Sequence, residues 1–502
     1  MIQPTDKAVG TRRRLLGSLL ALALCSTASV RAQEHTPASS TAGELASADA
    51  LASRDVLARQ RSYRAIAARI EQALAAGGVP GGALAIVEGN RLRFATGIGV
   101  KQASGSERVD ADTRFRIGSI TKTFTSALAV QLAAEHVVSL DAPITRYLPE
   151  LSLAAPYDER RITLRMLLSH TSGIPDHAEF ACDTDEEALS RWFADHPDLT
   201  LWTPPGRLHS YSNLGYSLAG LVLERAAGAP YRQLVEELIL EPLGLDSMTY
   251  EVAEALAVNH ASGFSPGFEL EPESMECALT DPPGFLWSSA RDLARFASTL
   301  LRGGDGVLDP RGIRQMRAPQ TPTDPSGRTT YGLGLLNLTI RGAHVVGHNG
   351  GMPGYRSSMW LVPASDLAIV LLLNGDAVDP DALALEAMAE LLALPVEPPV
   401  DLTTPPSEWV DYLGHYEEQQ APTAFPEPWI GSVYVDMEGE QLFIRDESGS
   451  ERIPLQQLAG DVWLAQLEPG VELLITFWRD RRGKVDFISS RSGAVRRVGD
   501  LP

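Results

Sequence analysis

The chain has 502 residues, 44% of them apolar and 21% charged, and a formal net charge of −21. Those proportions belong to a globular protein with ample apolar surface for a core, and the length exceeds one ordinary domain. So acidic a balance is repelled by nucleic acid and by anionic membrane surfaces, which excludes both as expected partners.

Residues 1–32 read as an export signal peptide. Lys7 and Arg12-Arg13-Arg14 form a basic start, Leu15 to Leu24 a short apolar run, and Val30-Arg31-Ala32 a small-residue cleavage site. The run Thr11-Arg12-Arg13-Arg14-Leu15-Leu16 resembles a twin-arginine signal, which implies export of a folded protein. An ordinary secretory signal rich in arginine is the alternative. Cys25 follows Leu24, which is bulkier than a lipoprotein signal has there. No later apolar run reaches membrane-spanning length, so a soluble mature protein, periplasmic or secreted, is expected. Cys182 and Cys277 remain after the signal, either bridged or as two free buried thiols.

Residues 33–58 carry Ala, Ser and Thr without apolar periodicity and read as a flexible leader. A helix is predicted from about Arg59 to Ala76, with Ile66, Ile70 and Leu74 on one face. Ala83–Val87 and Arg91–Thr96 flank Glu88-Gly89-Asn90 as a hairpin. A buried helix from Ile120 to Val138 follows, with Ser119 and Lys122 at its start. Further helices are expected over Asn213–Ala227, Tyr231–Leu240 and, behind a capping box at Ser289 to Asp292, through Leu301. The period then shortens, and Ala343–His348, Ser357–Val362 and Leu367–Leu373 read as strands. Strands first, helices in the middle and strands last imply an α+β domain over residues 59–395, with one sheet assembled from both ends. Five prolines between Pro395 and Pro406 mark a linker over residues 396–406. Residues 407–502 are all-β in character, with strands expected at Gly431–Met437, Gln441–Arg445, Val462–Leu467, Leu473–Arg479 and Val485–Arg491. Short strands broken by Gly, Asp and Pro suggest a small antiparallel barrel.

The chemistry-bearing residues fall in three clusters. Ser119 and Lys122, three apart, share one helix face, and a neutral amine can take the proton of a serine hydroxyl. The chain has four lysines against 39 arginines, and only Lys122 has serine at that spacing. Arginine meets a need for charge but does not deprotonate in a protein, so a lysine kept at a buried helix start fits a demand for a titratable amine. Tyr211-Ser212-Asn213 precedes an apolar helix and can aim a phenol and an amide into one cleft; a helix cap with a packed tyrosine is the plainer reading. His348-Asn349-Gly350-Gly351 ends a strand, where glycines let substrate approach the backbone and an N–H serve an oxyanion; a simple glycine turn is the plainer reading there. Gly215 to Ala219 is one residue short of a nucleophile elbow and lies within an expected helix. His344 and His348 would suit a metal only on a helix, so no metal and no cofactor is expected.

Taken in order, Ser119-x-x-Lys122, Tyr211-x-Asn213 and His348-x-Gly350 resemble the three-motif signature of the penicillin-recognising serine hydrolases. The likeness is greatest to the class C β-lactamase and D-alanyl-D-alanine carboxypeptidase branch, with its esterases and D-aminopeptidases. Leu167 to Gly173, Glu241 to Leu245 and Gly284 to Phe296 resemble that family too, so the likeness runs over about residues 60–395. The resemblance implies a central antiparallel sheet covered by helices, with an α-helical subdomain. It implies that Ser119 is acylated by a small-molecule or peptide substrate, and that Lys122 and Tyr211 share the proton transfers. Asn213 would bind the substrate carbonyl, and the N–H groups of Ser119 and Gly351 would form the oxyanion hole. The C-terminal barrel resembles the lipocalin-like appendage of some such hydrolases, either narrowing the cleft or merely packing beside it. Many β-lactamases have lysine and then a hydroxyl residue where this chain has His348 and Asn349. That departure weakens the field for a substrate carboxylate and favours a peptidase or esterase over a β-lactamase.

Overall fold

The computed structural model describes residues 42–153, 158–177, 181–185, 187–197, 199–265, 268–269, 275–396, 402–418, 432–446, 449, 452–468, 471–490 and 493–501. The expected export signal, the start of the leader and part of the proline-rich linker lie outside them. The chain divides into two compact units, residues 1–57 and 58–502, and the candidate chemistry lies in the second. Where a flexible leader was expected, residues from 42 onward are helical, within one helix Ala42–Gly77. The stretch lacks proline and is rich in Ala, Leu, Glu and Arg, so its backbone propensity favours a helix that apolar periodicity alone does not report.

In the second unit an eight-stranded antiparallel sheet is central. Its strands run in the order Arg91–Gly99, Gly81–Glu88, Leu367–Leu373, Tyr355–Val362, Ala343–Met352, Leu336–Ile340, Thr330–Tyr331 and Thr321–Pro322. Both faces are covered, which is why the inner strands read as unbroken apolar runs. Ala83, Ala85 and Val87 point into one core, beneath the helices Thr121–Ala134 and Ala290–Leu301. Leu84 and Ile86 point into the other, with Ile66, Ile70 and Leu74 of the first helix and with Pro380–Leu391. The two ends of the α+β domain therefore meet in one sheet, Gly82 pairing with Leu373. Ser289 does cap its helix through the Asp292 N–H, but Asp292 accepts from Ser247 N rather than closing the box.

The helical region between those strands is stapled by a disulfide, Cys182–Cys277, across a sequence separation of 95. Tyr211 and Asn213 lie inside the loop it closes. A Cys182→Ser/Cys277→Ser variant is expected to lose about 2–4 kcal/mol of stability. Urea unfolding checks this through a lower midpoint, and an unchanged midpoint would show that the bridge contributes nothing.

Eight strands, from Gly414–Glu418 to Gly493–Gly499, form a closed antiparallel barrel. Three of its strands escaped sequence reading: Gly414–Glu418, Arg452–Ala459 and Gly493–Gly499. Arg452–Ala459 carries Pro454, two glutamines and few inward apolar residues, so its alternation is faint. Among the described residues no helix is long and apolar enough to cross a membrane.

Candidate functional site

The short strand Arg114–Arg116 pairs with Trp287–Ser289 and delivers the chain to a tight turn at Gly118. Gly118 has a φ of 53°, and a Cβ there would fall 2.7 Å from the backbone N of Gly351. Only glycine meets both the left-handed backbone and the close approach. A 3₁₀ turn Gly118–Ile120 leads into the helix Thr121–Ala134, with Thr121 Oγ1 donating to the Gly118 carbonyl at 2.7 Å. The helix ends at Ala134 rather than the expected Val138, because His136 takes a left-handed φ of 60°. This geometry leaves Ser119 partly exposed and places Lys122, one turn on, fully buried.

Lys122 Nζ lies 3.0 Å from Ser119 Oγ, 2.6 Å from Asn213 Oδ1 and 2.9 Å from the Pro283 carbonyl oxygen. The last two groups can only accept. A neutral amine that spends its two N–H bonds on them turns its lone pair towards Ser119 Oγ. Tyr211 Oη reaches the same Oγ from the other side, at 2.8 Å, and Lys122 Nζ lies 4.9 Å from its ring centre. One oxygen is thus held between an amine and a phenol, which is a geometry for moving a proton on and off it.

The Tyr211-Ser212-Asn213 cluster turns out to be both a cap and a part of the site. Ser212 caps the helix Asn213–Ala227 by accepting from Gly215 N at 2.8 Å. Tyr211 and Asn213 are thereby placed on either side of Lys122. Asn213 spends its amide oxygen on Lys122 and one N–H on Asp176 Oδ1, at 2.9 Å. Asp176 was not singled out in the sequence; its position three residues after Gly173, in a loop, carries no motif of its own.

His170 organises the loop that carries Tyr211. It is fully buried with a left-handed φ of 57°. Its Nδ1 accepts from Ser212 N at 3.0 Å, its carbonyl accepts from Ser210 N at 2.8 Å, and its ring centre lies 4.3 Å from that of Tyr211. Burial drives its pKa well down, with the nearby His209, Lys122 and His348 adding to the effect. Burial also lowers His209, to about 4. Both groups are neutral in the fold and bind protons on unfolding below pH 6.5, the ordinary value. Their contribution to stability is complete above pH 6.5 and is lost as pH falls towards 4. The urea midpoint is therefore expected to drop between pH 7.5 and pH 4.5. A smaller drop in His209→Gln supports the assignment, and an equal drop refutes it.

The third cluster lies inside a strand rather than at its end, since Ala343–Met352 continues four residues past His348. Ser357 Oγ donates to the Ile117 carbonyl at 2.7 Å, and a Cβ on Gly350 would overlap that same oxygen. The strand edge is thereby pressed against the turn that carries Ser119, with Gly351 N beside Gly118. His348 is buried, its Nε2 at 2.8 Å from Tyr331 Oη and its Nδ1 at 2.5 Å from the Asn349 backbone carbonyl oxygen. Asn349, one residue on and hence on the other face, donates to Asp381 Oδ2 at 2.5 Å. Asp381 also accepts from Ser358 and Trp360, and burial raises its pKa.

These residues floor a cleft of about 1270 Å³ that Ser119, Tyr211, His348 and Gly351 line. Its opposite wall comes from the barrel, through Leu474, Thr476, Ser489 and Ser490. Strand alternation explains the split: Ile475 and Phe477 fill the barrel core, while Leu474 and Thr476 point outward. The barrel is clamped by Arg207, whose guanidinium donates to both Asp486 oxygens at 2.7 Å and to the Arg479 carbonyl. Leu208 packs with Trp478 and Phe487 beside that pair.

Ser217, in the near-match to a nucleophile elbow, lies within a helix and donates to the Leu279 carbonyl. His344, on the strand, contacts Asn337. Among the described residues no group of three or more His, Cys, Asp or Glu side chains could hold a metal.

Known proteins resemble this chain in sequence and in fold. Penicillin-binding protein 4 of Amycolatopsis lactamdurans is 30% identical over 351 residues, covering 64% of this chain and 91% of that protein. The unguisins hydrolase ungD' of Aspergillus campestris is 29% identical over 325 residues, covering 61% of this chain and 60% of that protein's length. The crystal structure of SurE superposes with a TM-score of 0.68 at 25% identity, covering 88% of this chain and 100% of that one. The family described as Beta-lactamase matches residues 66–393, a span that holds all three clusters, and the chain belongs to that family, whose members are serine hydrolases.

Proposed function

We propose that this protein is an exported serine hydrolase that works through a covalent acyl-enzyme on amide, peptide or ester substrates. The observation that carries the reading is Ser119 Oγ, set 3.0 Å from Lys122 Nζ and 2.8 Å from Tyr211 Oη on the floor of the cleft. In acylation Lys122 takes the hydroxyl proton while Oγ bonds to the substrate carbonyl carbon. The N–H groups of Ser119 and Gly351 hold the oxyanion. The bond to the leaving group breaks, and Tyr211 passes that group a proton which Lys122 restores. Water then enters along the reverse path and frees the acid. Asn213 keeps Lys122 oriented and has one N–H left for the substrate carbonyl.

A peptidase or esterase is favoured over a β-lactamase, because the third motif presents His348 bonded to Tyr331 and Asn349 bonded to Asp381. Neither residue offers the fixed cation or hydroxyl that many β-lactamases have there. The relative named as an unguisins hydrolase supports a hydrolytic reading as such. Export is supported by the signal-like residues 1–32 and by the Cys182–Cys277 bridge, since disulfides persist in oxidising compartments.

The test is a fluorophosphonate probe, with the adduct mapped by mass spectrometry, followed by turnover of p-nitrophenyl acetate, D-amino-acid amides and nitrocefin. The reading expects one adduct on Ser119 and many turnovers of ester or amide. Release of a single equivalent without turnover would make the protein a binding module. Absence of any adduct would remove the nucleophile.

A further inference from the structure

One of the two acceptors that turn the Lys122 amine comes from a stretch of chain that the proposed chemistry does not otherwise use. Pro283, whose carbonyl oxygen lies 2.9 Å from Lys122 Nζ, belongs to the short helix Asp281–Gly284. Successive prolines fix φ at 282 and 283, so their carbonyls move with Asp281 as one stiff piece. The Pro282 carbonyl accepts from Thr125 Oγ1 at 2.6 Å, one turn along the helix that carries Lys122. A Cβ on Gly220, in the helix that Asn213 opens, would overlap the Pro282 ring. The piece is therefore wedged between the helices that supply Lys122 and Asn213.

Asp281 ties down its start. The side chain is buried, and it is the one charged residue from Cys277 to Gly284. Its Oδ2 accepts from Arg232 Nε at 2.6 Å and its Oδ1 from Arg232 Nη2 at 3.3 Å, a two-point grip. Arg232 Nη1 reaches outward to Glu251 at 2.8 Å, and Glu276 faces it at 3.9 Å. The residue before it, Tyr231, sets its hydroxyl 2.7 Å from Thr125 Oγ1 and 3.0 Å from Tyr250 Oη. Two neighbouring side chains of the helix Tyr231–Val235 thus hold both partners of the Pro282 contact. A buried ion pair adds little stability over an apolar pair of the same volume, whereas its fork admits one geometry. A charge kept two residues from a carbonyl that faces the reacting amine fits a demand for position.

We infer that Asp281, paired with Arg232, is a positioning residue that holds the Pro283 carbonyl where it orients the Lys122 amine towards Ser119. This rests on the serine hydrolase reading. Burial pushes the Asp281 carboxyl up to about 6, against the pull of Arg232 and Arg116 and with Glu251 adding to the rise. Tyr231 and Tyr250 beside it are raised by burial and stay neutral. The pair is therefore complete above pH 6 and loses its charge as pH falls below it, and Asp281→Asn copies the protonated state in the same shape.

The experiment measures the rate constant and the stoichiometry of fluorophosphonate labelling on the full-length protein. At pH 8 Asp281→Asn should label to the same one adduct per chain but about 10- to 100-fold more slowly, the cost of misplacing a reacting group by up to about 1 Å. Its kcat on p-nitrophenyl acetate should fall by the same factor with KM within about twofold, because the pair touches no substrate. Arg232→Lys, which keeps the charge and loses the fork, should fall between. The quotient of wild-type and Asp281→Asn rate constants cancels titrations common to both, and should shrink towards one as pH drops through about 6. Labelling of Asp281→Asn at the wild-type rate overturns the inference, and so does a quotient that stays flat with pH. Lower stoichiometry at an unchanged rate constant makes the pair a purely structural contact and overturns it as well. If Asp281→Asn yields no folded protein, Arg232→Lys decides by the same two readings. Wild-type labelling on Ser119 sustains the hydrolase reading even where the Asp281 assignment fails; without it, both fail together.

Discussion

Ser119→Ala is expected to lose fluorophosphonate labelling entirely and to lower kcat by about 10⁴- to 10⁶-fold, the range found when a nucleophile is removed from a hydrolase. The size follows from the division of labour around Oγ. Lys122 and Tyr211 both lie within hydrogen-bond reach of that one oxygen, so under the proposed mechanism deleting it idles the two proton carriers along with the nucleophile. What survives is the residual catalysis of a backbone oxyanion site and of substrate positioning. Folding should change little, because Ser119 is partly exposed and alanine suits the turn that Gly118 already makes. The loss of one hydrogen-bond partner for Lys122 and Tyr211 costs about 1 kcal/mol. The measurement is kcat on p-nitrophenyl acetate beside a thermal melt. A folded Ser119→Ala protein that still turns over ester above a tenth of the wild-type rate would place the nucleophile elsewhere.

Lys122→Arg and Lys122→Met are expected to fall by about 10³-fold in kcat, within the usual range for loss of a general base. The pair separates two explanations. Arginine keeps the positive charge facing Asn213 and Pro283 but cannot give up its proton. Methionine keeps most of the volume and loses both charge and base. If the site needed only a cation near Ser119, arginine would retain activity and methionine would not. The amine reading expects both to be inactive, with thermal melts showing whether the larger arginine strains its fully buried pocket at about 1–3 kcal/mol. Substantial activity in Lys122→Arg would move the base role to Tyr211.

How much of this site was legible in advance depends on how local each residue's role is. Ser119 and Lys122 are one helical turn apart, so their meeting is dictated by the helix itself. Tyr211 and Asn213 flank a capping serine, and the cap that made them look structural is what aims them. Asp176, His170 and the Pro283 carbonyl were not legible as partners. Each acts through a contact made across more than thirty residues of sequence, and none carries a spacing that signals it. His348 and Asn349 were legible as a departure, but the strand that continues past them was not. Two glycines in succession look like a turn until a neighbouring strand pairs with them.

The pattern of apolar residues was enough by itself to separate the helices and strands around the site, to imply that both ends of the hydrolase region build one sheet, and to set the C-terminal barrel apart. Three motifs in order were enough to imply an acyl-transfer chemistry. Those features are local or periodic, so the amino acids state them without knowing their neighbours. The tertiary structure alone decided which groups share Ser119 Oγ, that Cys182 and Cys277 are bridged, and that the outer face of the barrel forms a wall of the cleft. It alone set Gly350 and Ser357 side by side against the Ile117 carbonyl. Sheet register brought those two together, and register is a property of paired strands that no single strand contains.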